Sequence, residues 1–543
     1  MTYTFPAQVA WSAASNAAVK NVSFQVYAVT DTTYTTPLAI LDANGVAIPG
    51  NILSSGTIGV FPQFQQASNA TVVITDAAHV YAWTVNCIPS DASTAAFINA
   101  AGSATQTALS ATYVSKGTEF ISVKDYGAKG DGTTDDATAI QNAINASTAK
   151  GTAVLFPPGV YIVGSPLLVT TNGVSLIGAA RASTDSNLGS VIKAKTGFTG
   201  AQIIMVSQTG TPTAPLNGIT ISHLTINGNG HTGTAVDGIY FQAYNSLIFD
   251  CEVAYCSGNG INVTGLAAWH TYNTVVSHTL THDNSGDGLH FGVGSHDTTE
   301  IGCHSFSNAG HGSYVGKAGH VIDACHRYGN TLNGVMLDGP ANNAQLIGSE
   351  FEYNHQAGVY LHDDGTYAPQ AVQIIGCNFY GNSYLNVNLY DNLTIGESAT
   401  HGAQALVIGN HFGAAPNTPR YGVNLSSSNA QRVIVEGNIF DGVYGTAKVN
   451  ALGSTASGLA SVFRDNAGLN PIGSQTVSVP ASTTVLQNPT NYDCTVYIAG
   501  GTVTVIAVAG TTTGLISGTF RVPAGQSITL TYTTAPTWVW IGD

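Results

Sequence analysis

The chain has 543 residues and a net charge of −15, yet only 8% of its residues are charged, against roughly a quarter in an ordinary soluble domain. Gly (62 residues), Ser, Thr and Asn take their place, and the 44% hydrophobic content excludes a disordered chain. The 15 basic residues form no cluster, so nucleic acid is not expected as a partner. The length predicts about two to four domains.

The first eleven residues, MTYTFPAQVAW, have neither the charged nor the apolar region of a signal peptide. No run reaches the roughly 18 apolar residues that a membrane span needs. We therefore expect synthesis in a cytoplasm without membrane insertion, and any exit through assembly into a larger particle. The seven cysteines are too few for a disulfide framework in a chain of this length.

Residues 1 to about 95 carry short β-like runs separated by turns, which predicts a small β domain. Residues 92–118 are rich in Ala, Ser and Thr and poor in large apolar residues, as in a connector. Residues 120–144 then combine a Gly-rich turn with an acidic helix start at Asp135 and Asp136. Ile140, Ala143 and Ile144 would line one face of that helix.

The segment FISVKDYGAKGDGTTDDATAIQNAI, with the strand AVLF and the turn PPG after it, resembles the entry segment of pectin-lyase-like β-helix proteins. That group includes many phage tailspikes and depolymerases. The resemblance implies an all-β chain with a right-handed parallel β-helix whose open end is capped by the helix.

A repeat supports this fold independently of the resemblance. A glycine followed by an apolar-x-apolar strand recurs at intervals of 22, 28, 24, 22 and 24 residues, and a period in the low twenties predicts a β-solenoid. These glycines are Gly238, Gly260, Gly288, Gly312, Gly334 and Gly358, and Asn386 and Gly422 continue the series. Four residues before that position an asparagine returns, at Asn284, Asn308, Asn330, Asn354 and Asn382.

Four cysteines share one position of the repeat, five residues before the asparagine. Cys251, Cys303, Cys325 and Cys377 occupy it, and Thr279 and Ser349 fill it in the rungs between. Since every member is small and no spacing fits a zinc ligand set, we predict a buried stack of small side chains and neither a metal site nor a cofactor.

After residue 465 the pattern changes to short β runs that end in Trp538 and Trp540. This predicts a β-sandwich-like module, similar to C-terminal modules of some phage tail proteins. The expected domains are thus 1–118 for attachment, 119–465 for the β-helix and 466–543 for trimerisation or host binding.

Strand alternation assigns the outward side chains of the repeated strand. Tyrosine and histidine dominate there, which suits contact with sugars, although any exposed β-helix face needs polar cover. The predicted binding residues are Tyr240, His290, Tyr314, Tyr360, His362 and Tyr390.

Asp338 and His362 lie one rung apart on this face, about 5 Å between backbones. Asp363 or Asp364 could add the second carboxylate that glycoside hydrolysis uses. The alternative is that His362–Gly365 is simply a turn.

Asp287 and His311 form a second candidate pair, directly before two repeat glycines. They resemble the Gly-Asp-Asp and Gly-His-Gly runs of polygalacturonases, but the second aspartate is missing. Asn259 stands where that family has a further aspartate, and Met336 and Asp338 replace its basic pair, which makes pectin an unexpected substrate. Here too, the alternative is ordinary turn chemistry.

Glu350 and Glu352 alternate outward on another face and form a third candidate pair, which would serve in a groove between subunits. A lyase mechanism would need a cation to neutralise a uronate, and Lys317 and Arg327 are the candidates.

The sequence thus predicts a phage tailspike, homotrimeric and carried on the virion after synthesis in the host cytoplasm. It would contact tail or baseplate proteins through its N-terminal region, and would bind and hydrolyse a bacterial surface polysaccharide. The alternatives are a receptor-binding spike without catalysis and, less favoured, a lyase.

Overall fold

The computed structural model describes residues 3–5, 8–9, 11–12, 17–18, 20–42, 44–54, 60–67, 71–79, 82–86 and 120–543, the last range without 183–187, 209–213, 231–234, 267–269, 397–400 and 415–418. The chain divides into two compact units, residues 1–117 and 118–543. The connector predicted at 92–118 lies almost wholly in the first unit and outside the described residues.

The first unit consists of short antiparallel strands around the buried side chains of Phe24, Phe64 and Ile74. Its three-stranded sheet contains Tyr3–Phe5, Phe64–Gln66 and Ile40–Asp42, and its four-stranded sheet contains Ala82–Asn86, Thr71–Asp76, Ser23–Ala28 and Ile52–Ser54. The smaller elements are the pairs Gln8–Val9 with Val60–Phe61 and Trp11–Ser12 with Ala17–Ala18, and the 3-10 helix Pro49–Asn51.

The second unit is dominated by three long parallel sheets, and the chain visits them in turn on each coil. Sheet 1 contains Phe120–Ser122, Ala153–Phe156, Ser175–Gly178, Thr220–Ser222, Ser246–Phe249, Thr274–Ser277, Thr299–Ile301, Val321–Asp323, Gln345–Ile347, Val372–Ile375, Ala405–Ile408, Ile434–Glu436 and Val462–Arg464. Sheet 2 contains Asp131–Asp135, Gly159–Val163, Ser190–Ala194, Thr225–Asn227, Glu252–Ala254, Leu280–His282, His304–Phe306, His326–Tyr328, Glu350–Glu352, Asn378–Tyr380, His411–Gly413 and Ile439–Phe440. Sheet 3 contains Leu167–Val169, Gln202–Val206, Asp237–Phe241, Ile261–Val263, Leu289–Phe291, Ser313–Val315, Val335–Asp338, Val359–His362, Leu393–Ile395, Tyr421–Leu425 and Ala447–Ala451.

This architecture is a parallel β-helix, as predicted. A short parallel pair, Leu216–Asn217 with Ala243–Tyr244, and the 3-10 helix Val123–Tyr126 accompany the three sheets. Helix α1, Ala137–Lys150, joins the hydrophobic core of the β-helix through the buried Ile140 and Ile144. The predicted capping helix is therefore confirmed. No helix in the described part of the chain is long and apolar enough to cross a membrane.

The repeat predicted from the glycines sets the register of sheet 3 over six rungs. Leu289, for example, pairs with Ser313, which pairs with Val335, and the first and third residues of these strands point into the core. The next predicted rung, at Asn386, is wrong. Val359 pairs instead with Leu393, which is fully buried.

The later start of this strand, at Leu393, has a physical cause. Residues 386–389 alternate polar and apolar residues as a strand would, yet Val387 and Leu389 are exposed in a turn. Asn392, just before the true strand, accepts a hydrogen bond from Asn382 Nδ2 at 3.0 Å. Only a strand that starts after Asn392 places that acceptor beside the asparagine stack.

The repeated asparagines form a buried ladder, as predicted. Asn330 is typical: its Oδ1 accepts from the backbone N and the Nδ2 of Asn308, and its Nδ2 donates to Ser305 O and Asn354 Oδ1. Each amide is thereby satisfied without water.

The cysteine position forms a second buried stack, and its thiols are free. Here a small side chain accepts from the backbone N of the preceding rung, as Ser349 Oγ does from Cys325 at 3.0 Å. In the rungs after Cys377, Asn410, Asn438 and Asn466 occupy this position of the repeat, and their side chains hydrogen-bond to each other as in the first ladder.

The C-terminal module is a sandwich of two antiparallel sheets that share a core of Val496, Leu530 and Trp540, among others. One sheet contains Gly473–Gln475, Thr537–Gly542, Cys494–Ala499 and Gly518–Val522, and the other contains Val485–Gln487, Ser527–Tyr532, Val503–Val508 and Thr511–Thr512. Asn491 Nδ2 donates to Ser454 O and Ser461 O and so ties the module to the last β-helix coil.

Replacing Asn330 with Ala should lower the free energy of unfolding by roughly 3 kcal/mol, because several buried polar groups would lose their partners at about 1–3 kcal/mol each. Urea unfolding measures the effect. Asn450→Ala is the matched control, since Asn450 is half-buried in a sheet 3 strand and its Nδ2 donates to a single side chain, Asn424 Oδ1, among the described residues. This variant should lower the free energy of unfolding by about 1 kcal/mol or less. Equal losses in both variants would contradict the role of the ladder.

Candidate functional site

The outer face of sheet 3 carries a row of side chains that repeats from rung to rung. The second residue after each repeat glycine, or after Asn392 in the rung that lacks one, occupies this row, and the register places these residues directly beside each other. The row runs Tyr240, Asn262, His290, Tyr314, Met336, Tyr360, Thr394 and Asn424.

Two members of this row, His290 and Tyr314, connect Asp287 with Asp338, which the sequence assigned to separate candidate pairs. Asp287 Oδ2 lies 2.7 Å from His290 Nδ1, and the His290 ring stacks on Tyr314 at 4.5 Å and 4°. The Tyr314 hydroxyl donates to Asp338 Oδ2 at 2.5 Å, and Asp338 Oδ1 lies 2.6 Å from His362 Nδ1. The result is one continuous polar band across four rungs.

Asp338 is the carboxylate of this band whose pKa the neighbouring side chains lower. Partial burial alone would raise its pKa, but hydrogen bonds from His362 and Tyr314 outweigh burial and lower the pKa below 3.8. Burial, and then the Asp338 carboxylate, raises the pKa of Tyr314, which therefore stays protonated and donates. Asp338 is thus ionised at neutral pH and can act as a base or a nucleophile, but not as an acid.

Asp338 opens into a groove of about 270 Å³. Two glycines make room for it: a Cβ on Gly292 would lie 3.0 Å from His290 Nε2, and one on Gly316 would lie 3.2 Å from Tyr314 Cε1. The other lining residues are Val293, Lys317, Pro340, Asp364, Thr366 and Tyr367.

Asp364 lines this groove, whereas Asp363 does not. Asp364 Oδ1 accepts from the backbone N of Thr366 and of Tyr367, both at 2.7 Å, and its Oδ2 lies over Gly339, where a Cβ would overlap it. The strand is pleated, so Asp363 points to the opposite side from His362. Its side chain is buried and accepts from the backbone N of Gly365 and of His401. The prediction that Asp363 could lie on the same face as Asp338 is therefore wrong.

Asp287 and His311 have partners that the sequence did not predict. They belong to a row just before the repeat glycines, in which each side chain accepts from the backbone N of the next rung. Asp287 Oδ1 accepts from His311 N at 2.7 Å, and His311 Nδ1 accepts from Asn333 N at 3.2 Å. Burial lowers the pKa of His311, in agreement with a neutral ring whose Nδ1 is an acceptor. These two residues support the backbone under the band.

Asp237 begins this row and was missed by the sequence reasoning. Its Oδ1 accepts from Asn259 N and its Oδ2 accepts from Asn262 Nδ2, and burial raises its pKa. The signal was present, because Asp237 directly precedes the first repeat glycine, as Asp287 precedes a later one.

The aromatic residues differ in what they can offer a ligand. The stacked faces of His290 and Tyr314 cover each other, so these rings present mainly edges and polar atoms. Tyr240 accepts from Gln242 Nε2 at 2.8 Å, and the Tyr360 ring lies 5.2 Å from that of His362. Tyr390 lies in the turn before Leu393–Ile395 and not on the strand, because the true rung starts later than predicted.

The remaining candidates lie apart from the groove. Glu350 and Glu352 project from sheet 2 beside His326, so they do not share a face with Asp338. Arg327 is fully buried with Glu300 inside the β-helix and cannot contact a substrate. Lys317 does line the groove and is the cation available there.

Comparisons with known proteins agree with the fold. Residues 120–220 match the family described as rhamnogalacturonase A/epimerase, pectate lyase-like. The predicted resemblance to pectin-lyase-like proteins is confirmed.

Alginate lyase 7 of Azotobacter vinelandii is 32% identical over 222 residues, which are 37% of this chain and 24% of that protein. The tail spike protein of Shigella phage Sf6 is 34% identical over 152 residues, which are 26% of this chain and 23% of that protein. ORF18 of Geobacillus virus E2 aligns with a TM-score of 0.45 at 18% identity, over 94% of this chain and 88% of that chain. The chain thus spans about a quarter of the length of the two relatives matched by sequence.

His311 should make the stability of the β-helix sensitive to acid. Its pKa is lower in the folded chain than the ordinary value of 6.5, so the unfolded chain takes up the proton more readily and stability falls as the pH drops below about 6.5. His311→Asn keeps an acceptor, like Asn259 and Asn333 in the same row. The variant should lose less stability than the wild type between about pH 8 and pH 5.5, measured by thermal unfolding.

Asn259→Ala supplies the control, because it removes an acceptor of the same row that cannot titrate. This variant should lose stability by a similar amount at every pH and so keep the wild-type pH dependence. An unchanged pH dependence in His311→Asn would contradict the neutral acceptor role.

Proposed function

We propose that this chain is a phage tailspike that binds a bacterial surface polysaccharide along the outer face of sheet 3 and hydrolyses it at Asp338. The observation that carries the proposal is the position of the Asp338 carboxyl group, held by Tyr314 and His362 in a groove that Asp364 also lines. Paired carboxyl groups about a groove are what glycoside hydrolysis requires.

In the proposed reaction, Asp338 accepts the proton of the attacking water, or attacks the sugar itself to form a glycosyl-enzyme that water then hydrolyses. Asp338 Oδ2 accepts from the Tyr314 hydroxyl, and Asp338 Oδ1 lies beside His362 Nδ1. A carboxylate oxygen can accept a second hydrogen bond, so both oxygens can still contact water or the substrate. Asp364, in its protonated form, donates its proton to the leaving glycosidic oxygen as the glycosidic bond breaks. Its Oδ1 is fixed by two backbone N–H groups, which leaves Oδ2 for the substrate.

The substrate is a neutral or weakly charged glycan. The chain carries a net charge of −15, and the groove contains two carboxyl side chains, Asp338 and Asp364, beside the single cation Lys317. A strongly anionic polymer would be repelled along most of this face.

The other units would serve the particle. Residues 1–117 would attach to tail or baseplate proteins, and the C-terminal sandwich would hold a homotrimer or contact the host. The support is the sequence match to the tail spike protein of Shigella phage Sf6 together with the separate compact first unit.

A second candidate reaction is elimination at a uronate. Lys317 in the groove favours it, because a cation must neutralise the uronate carboxylate, and the match to alginate lyase 7 points the same way. Asp338 would then remove the proton next to that carboxylate while the adjacent C–O bond breaks, and Asp364 would protonate the leaving oxygen. Lys317→Ala should abolish cleavage if the reaction is elimination and leave cleavage of a neutral glycan nearly unchanged.

Asp338→Asn should reduce cleavage by about 10²–10⁴-fold, because the amide cannot accept the proton. The assay incubates purified protein with capsular and cell-wall glycans of candidate hosts and measures new reducing ends and the ultraviolet absorbance of unsaturated sugars. Asp323→Asn is the matched control, since Asp323 lies on a sheet 1 strand away from the groove.

The outcomes separate the alternatives. Reducing ends without the absorbance indicate hydrolysis, and the absorbance indicates elimination and refutes the hydrolase assignment. Saturable binding without any product would make the chain a receptor-binding spike. Full cleavage by Asp338→Asn would refute the site.

A further inference from the structure

The outer face of sheet 2 carries a mixed cluster of one imidazole and two carboxylates. Glu350 and Glu352 project from one strand, and His326 pairs with Glu350 from the neighbouring strand. His326 Nε2 lies 2.9 Å from Glu352 Oε1 and 3.8 Å from Glu350 Oε2, and one ligand atom from each of the three lies within 4.8 Å of the others. We propose that these three side chains bind a divalent transition-metal ion of the zinc class.

The spacing fits such an ion. Two ligands about 2.1 Å from a tetrahedral zinc ion are roughly 3.4 Å apart, a value between the two measured separations. An imidazole nitrogen with carboxylate oxygens is also a donor set that zinc and related ions use, whereas calcium and magnesium prefer oxygen alone.

The charges favour a cation at this point. His326 Nε2 lies within hydrogen-bond distance of the Glu352 carboxylate only, and the Glu350 carboxylate is 3.8 Å away. Among the ion pairs of the described residues, no lysine or arginine contacts either glutamate. A divalent ion in place of the proton would compensate both carboxylates at once.

Neighbouring residues hold the three ligands in place, as outer partners of metal ligands do. Asn378 Nδ2 donates to Glu350 Oε1 at 2.8 Å, which directs the other oxygen towards His326. The His326 ring packs against Tyr328 at 4.4 Å. Asn378 is held in turn by His411, whose Nδ1 lies 3.0 Å from Asn378 Oδ1.

The site keeps room for a further ligand. The Glu350 side chain is 42% exposed and that of Glu352 is 22% exposed, so water or a hydroxyl group can complete the coordination. His304, in register with His326 and 5.5 Å from it between ring centroids, is the neighbouring imidazole that could supply a fourth protein ligand.

This inference does not rest on the proposed function, because the cluster lies on a different sheet from Asp338. Isothermal titration of the full, EDTA-treated chain with ZnCl₂ should show one saturable site per chain. Glu352→Gln, which keeps the size of the side chain, should weaken binding at least about 10-fold, and His326→Ala should weaken it further. Acidification should also weaken binding, since the imidazole must release its proton.

His296→Ala is the matched control, since His296 forms a similar surface pair with Asp297 elsewhere, and zinc binding should be unchanged. No saturable binding, or the same affinity in Glu352→Gln and His326→Ala as in the wild type, would overturn the proposal. Loss of glycan cleavage in Glu352→Gln with zinc affinity intact would also overturn it, and would return the two glutamates to the hydrolytic role.

Discussion

Hydrogen bonding between successive coils is the interaction on which the rest of this structure depends. The parallel strands of three sheets pair residue by residue over most of the chain, and the turns between them would leave polar groups buried without partners. The asparagine ladder removes that cost: Asn308, Asn330 and Asn354 each accept from the preceding coil and donate to both neighbouring coils. At the cysteine position, Ser349 likewise accepts from the preceding coil.

The same stacking creates the candidate site. Side chains at equivalent positions lie about 4.8 Å apart, so a residue type that recurs in the repeat becomes a row on the surface. His290 and Tyr314 stack because they share such a row, and Asp338 meets His362 for the same reason. Groups that belong to different repeats in the sequence thereby act as one band. The cost is that stacked rings hide their faces, so ligand contact depends on edges and carboxylates.

The residues that support the backbone and the residue proposed to react lie in different rows of the same sheet. The residues before the repeat glycines, including Asp287 and His311, accept backbone N–H groups and hold the strands. Asp338, two positions beyond the stacked row, receives side-chain partners instead and faces the groove. This division explains why two acidic groupings that look alike in the sequence differ in what they can do.

The sequence by itself determined the fold and the direction of most side chains. Strand alternation and the recurring glycine are local properties, so the inward Leu289 and Phe291, the buried cysteines and the asparagine ladder could all be predicted. Where the repeat is interrupted, local pattern was insufficient: Val387 and Leu389 alternate as well as Leu393 and Ile395, and only the fit of Asn392 to the ladder selects the second pair.

The tertiary structure likewise decided that Asp363 is buried while Asp364 lines the groove, that Arg327 is enclosed with Glu300, and that His326 meets two glutamates. These outcomes depend on which neighbour each side chain meets across coils, and that is fixed by loop lengths and packing and not by the strand pattern.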